Sequence, residues 1–567
     1  MPVGSLVADA HELAILPLGG CGEIGLNATL FVYGDKALLV DFGVMLGLED
    51  MPGIDRALPT FAPLDRVDLC GVVLTHGHED HIGAVPHLLD SRSVPVYGTK
   101  LALALLEARL EEHQPRGRKL IPVGFGERFE VGPFAIELVS VTHSIPEAAA
   151  LIIEVAGRRI VHSGDFKLDE RPHDGRLTDV ARLRAAGDAG VDLLLSDSTN
   201  AERSGHTRSE TEVGLEIRSI VGESDGRVMV TCFASHLHRV DAIGHAAQRA
   251  GRGLVLLGRS LHRTVSLGLR EHHLTFDPGI LIEERRLKSL DPRRVVVLVT
   301  GSQGEPRAAL SSIAYGRDRG IELGAGDKLV VSATVIPGNE KRVRRIENTM
   351  RRKGVEVIHD RMRPVHCSGH AHSGEQAEFL RILRPRHFIP IHGDRLMLEA
   401  HAATARGVGV EPDRVIVLEN GQGAVFEGDR LVRGRPRVPA PIQPIDASSG
   451  RVISSDAVFQ RRRIAERGVL MCSLTISNRK LLGRPRVSGV GVVWTAGLAG
   501  DLEQVVSAFV SSLDERGWLS ISSAVEREVA RAFAQRTQAR PEVLVQVNDL
   551  DAPISSGSEA WLDGQTS

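Results

Sequence analysis

Aromatic residues are scarce in this 567-residue chain, at 4% with only 3 tryptophans and 3 tyrosines. A platform of rings on which successive nucleic-acid bases could stack is therefore not visible. Cysteine is also sparse: Cys21, Cys70, Cys232, Cys367 and Cys472 are odd in number, widely scattered and never in a CxxC pair. That excludes a disulfide framework and a cysteine zinc site and fits a reducing cytoplasm. Neither sign of charge dominates, since 69 Lys+Arg stand against 72 Asp+Glu for a net charge of −3. Any grip on nucleic acid must then come from a local patch rather than a global basic field. No apolar run reaches the ~18 residues of a membrane span, and Asp9, His11, Glu12 and Glu23 occupy a start without a basic leader. The chain is expected to be neither membrane-bound nor exported.

What is abundant is histidine, with 23 residues, several of them clustered beside aspartates. The length, against about 100–150 residues for one domain, predicts two to four domains. Short apolar runs at Ala14–Leu18, Ala28–Tyr33 and Ala37–Val40, separated by Gly-rich turns, predict stacked strands. A buried strand at Gly71–Thr75 runs into His76-Gly-His78-Glu-Asp80-His81, with a helix expected to begin over Ile82–Leu89. Further strands are expected at Phe134–Val141, Leu151–Val155, Arg159–His162 and Leu193–Ser196. From about Ser204 the rhythm changes to helix and strand in alternation, which predicts an inserted parallel α/β unit. The prolines of Arg433–Pro444 read as a linker. Trp494, Trp518 and Trp561 all follow it, which marks a separate C-terminal domain, and Ser555–Ser567 is expected to fray.

The spacing HxHxDH at the end of a strand carries the chemistry. His76 and His78 can converge on one side of an extended loop, while Asp80 and His81 address a second position. His143, Asp165 and His392 each follow an apolar strand and can close the sites. This places His76, His78 and His143 on one ion, Asp80, His81 and His392 on another, and Asp165 between them. Paired ions with open positions point to hydrolysis rather than a structural role, because together they can activate water and clamp a phosphodiester. The donor types suit zinc, with manganese as the alternative.

These motifs, with Asp41 at a strand end, resemble the metallo-β-lactamase superfamily. The insertion resembles its β-CASP group: Asp197 in Ser196-Asp197-Ser198-Thr199-Asn200 matches the first additional motif, His370 the second and His392 the third, where histidine accompanies RNA cleavage. Finer matches are to the ribonuclease J family: Pro17-Leu18-Gly19-Gly20, Thr300-Gly301-Ser302-Gln303-Gly304-Glu305-Pro306, Ile336-Pro337-Gly338-Asn339-Glu340 and Ser368-Gly369-His370. The resemblance implies an α/β fold: a metallo-β-lactamase αββα sandwich (1–204 and 365–435), an inserted β-CASP α/β domain (205–364), a linker (436–452) and a small α+β C-terminal domain (453–567). It further implies that Asp41 orients the histidine loop, and that Asp80, Asp197 and His370 are catalytic. His366, Cys367, Ser368, Gly369 and His370, with Ser235 and His236, are implied to meet RNA phosphate. Thr60, His236, Cys367 and Asp394 depart from the family's usual residues, and none of them is among the expected ligands.

His370, flanked by the small residues Ser368 and Gly369, is the residue expected to protonate the leaving oxygen or stabilise the charged transition state. The basic run Lys341, Arg342, Arg344, Arg345, Arg351, Arg352, Lys353, Arg361 and Arg363 is a candidate phosphate grip. The expectation is a cytoplasmic two-metal ribonuclease acting 5′→3′ on monophosphorylated single-stranded RNA, with endonuclease activity, as a homodimer or homotetramer in RNA decay. The rivals are a DNA nuclease or thioesterase on the same fold, and a catalytically silent RNA-binding or assembly subunit.

Overall fold

The computed structural model of the chain describes residues 6, 11–48, 51–113, 118–317, 321–336 and 338–551. These fall into two compact units, one within Met1–Leu48 and Asp55–Gln443, the other within Glu49–Ile54 and Pro444–Ser567.

Two sheets face each other in the first unit. One has 8 strands and includes Leu13–Gly19, Ala28–Tyr33, Lys36–Val40 and Asp68–Val73; the other has 6 and includes Phe134–Ser140, Ala149–Val155, Arg158–His162, Leu193–Asp197 and His387–Ile391. Ile15, Phe31, Leu38 and Val73 from the first interdigitate with Phe134, Leu138, Leu151, Ile160 and Leu195 from the second. Their neighbours along each strand point outward, and the outer face of the second sheet is covered by the helices Val180–Asp188, Ser373–Leu383 and Arg395–Gly407. Helix Lys100–His113 covers the outer side of the first sheet. This is the αββα sandwich of the metallo-β-lactamase fold.

The inserted domain departs after strand Leu193–Asp197, and the chain returns to pair strand His387–Ile391 beside it in parallel. Its own sheet of 6 strands is parallel throughout, with Val228–Thr231 at its centre. Parallel sheets are buried on both faces, which is why these strands read as continuous Val/Leu runs. Val228 and Val230 pack under helices Glu210–Glu223 and Leu237–Arg249, while Met229 packs on the opposite side with Ile346 and Met350 of helix Glu340–Arg352. That last helix turns Lys341, Arg344, Arg345, Arg351 and Arg352 to solvent. Arg363, from the same basic run, is paired with Glu216 and Glu223.

The helix expected over Ile82–Leu89 is two pieces, Glu79–Ile82 and Val85–Ser91, the second beginning at Pro86 in its first turn. The proline-marked stretch read as linker is strand as far as Arg437, and Gln443–Asp446 is a further strand. Pro436 misleads because Arg430–Arg437 lies at the edge of its sheet, where a missing N–H costs no ladder hydrogen bond. In the second unit, helices Leu498–Ser511 and Ile521–Thr537 pack on a sheet of 3 strands through Leu502, Val506, Val529 and Phe533. Trp494 and Trp518 belong here; Pro337, Trp561 and Ser555–Ser567 lie outside the described residues. Among the described residues no helix is long and apolar enough to cross a membrane.

Candidate metal centre

Parallel pairing of Arg158–His162, Leu193–Asp197 and His387–Ile391 sets their C-terminal ends side by side. Asp165, Asp197 and His392 therefore emerge at one edge, where the loop after Asp68–Val73 brings His76 to His81 and the loop after Phe134–Ser140 brings His143. Three groups, two of them overlapping, form there: His76, His78 and His143; Asp80, His81, Asp165 and His392; and Asp165, Asp197, His370 and His392, the ligand atoms within each lying within 4.8 Å of one another. All seven residues expected at the ions are thus brought together.

In the first group His78 Nδ1 is 3.1 Å from both His76 Nε2 and His143 Nε2. Asp165 Oδ2 stands between the groups, 3.6 Å from His76 Nε2, 3.8 Å from His143 Nε2 and 3.1 Å from His81 Nε2. Its other oxygen is 3.0 Å from His392 Nδ1.

The outer ring nitrogens are already engaged. Asp41 Oδ2 is 2.8 Å from His81 Nδ1 and also accepts from the Thr75 hydroxyl, while Oδ1 accepts from Thr75 N at 2.8 Å. His143 Nδ1 donates to the Gly369 carbonyl at 2.7 Å. Such outward hydrogen bonds fix ring orientation and leave the inner lone pair for a metal. Glycine is required at two of these approaches: a Cβ on Gly43 would lie 1.6 Å from the Asp80 carbonyl oxygen, and one on Gly369 would lie 2.8 Å from His143 Cε1. Asp41, Asn200 and His392 hold left-handed backbone, with φ of 57°, 65° and 52°, the kind of strain that collects at functional sites.

The electrostatics suit a divalent cation. Burial holds His78 down to about 4 and pushes His76 and His143 well below the ordinary histidine value, so these rings are neutral donors. Burial opposes charge on Asp80, Asp165 and Asp197 too, but neighbouring imidazoliums outweigh it and hold the carboxyls low. Protons are correspondingly drawn onto His81 and His392, against burial, by these same carboxylates together with Asp41 at His81. A bound divalent ion displaces such protons and meets the same negative charge. His392 Nε2 is buried without a hydrogen bond, 3.4 Å from Asp80 Oδ2. A buried nitrogen without a protein hydrogen-bond partner among carboxylates suits coordination to a cation, and the donor set fits a pair of divalent ions.

His370 lies against this centre, its ring 4.9 Å from that of His143 and 5.3 Å from that of His392. Its Nδ1 donates to Asp197 Oδ2 at 2.8 Å. Burial opposes the imidazolium, yet Asp197 and then Asp165 raise its pKa above the ordinary value. The His370 backbone is stapled by Asn200, whose amide donates to the His370 carbonyl at 3.3 Å and to Ser368 Oγ at 2.8 Å, and by Thr207, whose hydroxyl donates to the His370 carbonyl at 3.0 Å. Asn200 stands in the motif read for Asp197, but its own part was not visible in sequence.

The other residues expected at the substrate divide. Ser235, Ser368 and His370 are partly exposed, and Gly369 lies in the same loop. The Cys367 and His236 side chains are instead turned into a buried network. Arg239, fully buried, clasps Glu210 through Nε at 2.7 Å and Nη2 at 2.9 Å and donates to the Val365 carbonyl at 3.1 Å. The Cys367 thiol donates to Glu210 Oε2 at 2.9 Å, and burial with that carboxylate pushes it up to about 12. His236 Nδ1 caps its helix by accepting from Arg239 N, and Nε2 lies 3.6 Å from Glu210. His366 is also buried, held down to about 3 by burial and then Arg239. Lys167 and Asp169, paired at 3.0 Å, complete the network, Asp169 accepting from Glu210 N. Sequence reasoning missed it, because Glu210 and Arg239 lie 29 residues apart on different helices.

Comparison with known proteins agrees with this geometry. Family models match residues 22–204 (metallo-beta-lactamase superfamily), 225–350 (ribonuclease J, beta-CASP domain), 354–415 (Zn-dependent metallo-hydrolase RNA specificity domain) and 457–550 (ribonuclease J C-terminal domain). A ribonuclease J from Corynebacterium glutamicum is 35% identical over 96% of this chain and 77% of its own length. One from Synechocystis is 34% identical over 96% and 88%, and one from Mycobacterium tuberculosis 40% over 74% and 75%. A solved Enterococcus faecalis chain, titled a protein of unknown function, aligns with a TM-score of 0.53 at 16% identity, covering 73% of this chain and 100% of its own, and shows the fold alone.

Proposed function

Since the chain belongs to the ribonuclease J family, a group of metal-dependent nucleases of the metallo-β-lactamase and β-CASP type, we propose that it hydrolyses single-stranded RNA 5′→3′ from a monophosphorylated end and also cuts internally. The observation that carries this reading is one carboxylate, Asp165, within 3.8 Å of His76 and His143 on one side and of His81 and His392 on the other, with His370 held beside them by Asp197. In this reading His76, His78 and His143 would hold one ion and Asp80, His81 and His392 the other, with Asp165 placed near both sets. Zinc suits the donors, with manganese as the alternative. Divalent ions held there would supply water activation and charge neutralisation at the scissile phosphate.

The rest falls to the chain's own residues. Asp41 and Thr75 keep the His81 ring in one orientation, and the Gly369 carbonyl does the same for His143. Asp197 occupies Nδ1 of His370, so Nε2 is the nitrogen left to give a proton to the leaving oxygen. Ser368, Gly369 and Ser235 remain as phosphate contacts. The exposed basic face of helix Glu340–Arg352 adds a grip that does not depend on sequence. On the resemblance alone, the reading extends to a cytoplasmic homodimer or homotetramer working in RNA decay.

The test is a 5′-end-labelled RNA in matched monophosphate and triphosphate forms, incubated in zinc or manganese with wild type, Asp80→Ala and His370→Ala. Labelled mononucleotide should be released from the monophosphate form, and both variants should lose it. Loss of about 10²–10⁴-fold is expected for His370→Ala if it acts as a general acid, with bound metal unchanged. RNA binding without cleavage by metal-replete wild type would instead make the chain a binding or assembly subunit.

A further inference from the structure

Away from the strand edge, three more metal-binding side chains meet. His87 and Asp90 stand three residues apart on helix Val85–Ser91, hence on one face of one turn, and His113 ends helix Lys100–His113 beside them. One ligand atom from each lies within 4.8 Å of the other two. His113 Nδ1 is 3.5 Å from Asp90 Oδ2, and the two imidazoles meet edge to face with centroids 4.6 Å apart. In sequence each of these histidines reads as an ordinary surface or core residue; the fold makes them a group.

We propose that His87, Asp90 and His113 bind one divalent transition ion of zinc's class, independent of the strand-edge centre, and so tie helix Val85–Ser91 to helix Lys100–His113. Two imidazoles and a carboxylate are a donor set for such ions, leaving further positions to water. Metal–ligand bonds of about 2.0–2.1 Å in a tetrahedron put donors about 3.3 Å apart, close to the separation of His113 from Asp90. Their side chains, 29% and 43% exposed, are free to turn for the remainder. Burial, then His113 and Arg56, keeps His87 down to about 4, so its lone pair is available at neutral pH. A plain His113–Asp90 surface pair is the simpler account, and it predicts no response to zinc. The tie would also bear on the loop carrying His76 to His81. Helix Lys100–His113 supports that loop: Leu105 packs against Gly77, and Arg109 Nε donates to Glu79 Oε1 at 2.7 Å.

The full chain, stripped with chelator and dialysed against micromolar Zn²⁺, would be assayed for zinc per chain and for melting temperature with and without the ion. His87→Gln/His113→Gln should hold one zinc fewer than wild type and show a smaller zinc-induced rise in melting temperature. The same single-ion difference should persist in an Asp165→Asn background, which separates this site from the strand-edge centre. Asp90→Asn, which keeps both imidazoles, should weaken zinc retention, and it decides the matter if the metal-free double variant melts abnormally. Equal zinc counts in wild type and double variant overturn the proposal, as does a difference confined to millimolar zinc, which would mark an adventitious ion only.

Discussion

Two buried polar clusters flank the segment from Val365 to His370, and they differ in how their charges are answered. Around Arg239 each charge finds a partner: Glu210 takes the guanidinium in two hydrogen bonds, Lys167 takes Asp169, and the Cys367 thiol takes the remaining reach of Glu210. Only neutral imidazole nitrogens, His236 Nε2 and His366 Nδ1, are left without a hydrogen bond. Around Asp165 the His81 and His143 rings are held from outside, but inner nitrogens of His76, His78 and His143 face one another, nitrogen to nitrogen at 3.1 Å, and the carboxylates Asp80, Asp165 and Asp197 are answered by protons on His81, His370 and His392. The first arrangement is complete without a ligand. The second has the donors and the charge that suit divalent cations, and this separates support from chemistry among equally buried polar residues.

The sharpest way to break that distinction is to remove the shared carboxylate. Asp165→Asn should bring RNA cleavage to background, lower the divalent metal retained per chain, as read by elemental analysis, and shrink the rise in melting temperature that added metal gives the wild type. An undiminished rise with metal would put Asp165 with the supporting cluster instead.

The converse change lies at Arg239. Arg239→Met strands a buried carboxylate, and breaking a buried pair costs about 3–5 kcal/mol, to be seen as a marked fall in thermal midpoint. Pairing it with Glu210→Met should recover most of the loss, because no uncompensated charge then remains. Full recovery of stability without recovery of cleavage would show that this cluster does more than hold the segment leading to His370.

Asp41 lies between these extremes, since it orients a ring and touches no substrate. Asp41→Asn keeps the shape but weakens the carboxylate's hold on His81 Nδ1, and losing such an outer partner typically costs about 10–100-fold in metal affinity or activity. Titration with zinc should therefore show weaker binding with near-normal cleavage at saturating metal.

How much of this could be read from the sequence follows from where the information lies. Four donors within His76 to His81 are local, and His143, Asp165 and His392 announce themselves because each follows an apolar strand. The inserted domain shows through its unbroken Val/Leu strands. What stayed hidden is pairing across the fold: Arg239 with Glu210, the Cys367 thiol with that pair, and His113 with His87. The proline signal at Pro436 failed for a related reason, since a sequence does not say which strand lies at an edge.

The smallest effect concerns acid, and it turns on the sign of one titration. Burial would raise the carboxyl of Glu210, but Arg239 and then His236 outweigh it and hold the group well below its ordinary value of 4.5. A carboxyl depressed in the folded state stabilises at pH above its unfolded value, and that contribution fades as pH falls below about 4.5 toward the folded value. Glu210→Gln should therefore melt well below wild type at neutral pH, with the gap narrowing as the solution is acidified through this range. Metal-free protein is the form to use, because acid also strips ions from histidine and carboxylate donors. A gap that stays constant with pH would mean that Glu210 acts through packing alone, and the supporting cluster would then owe little to its charges.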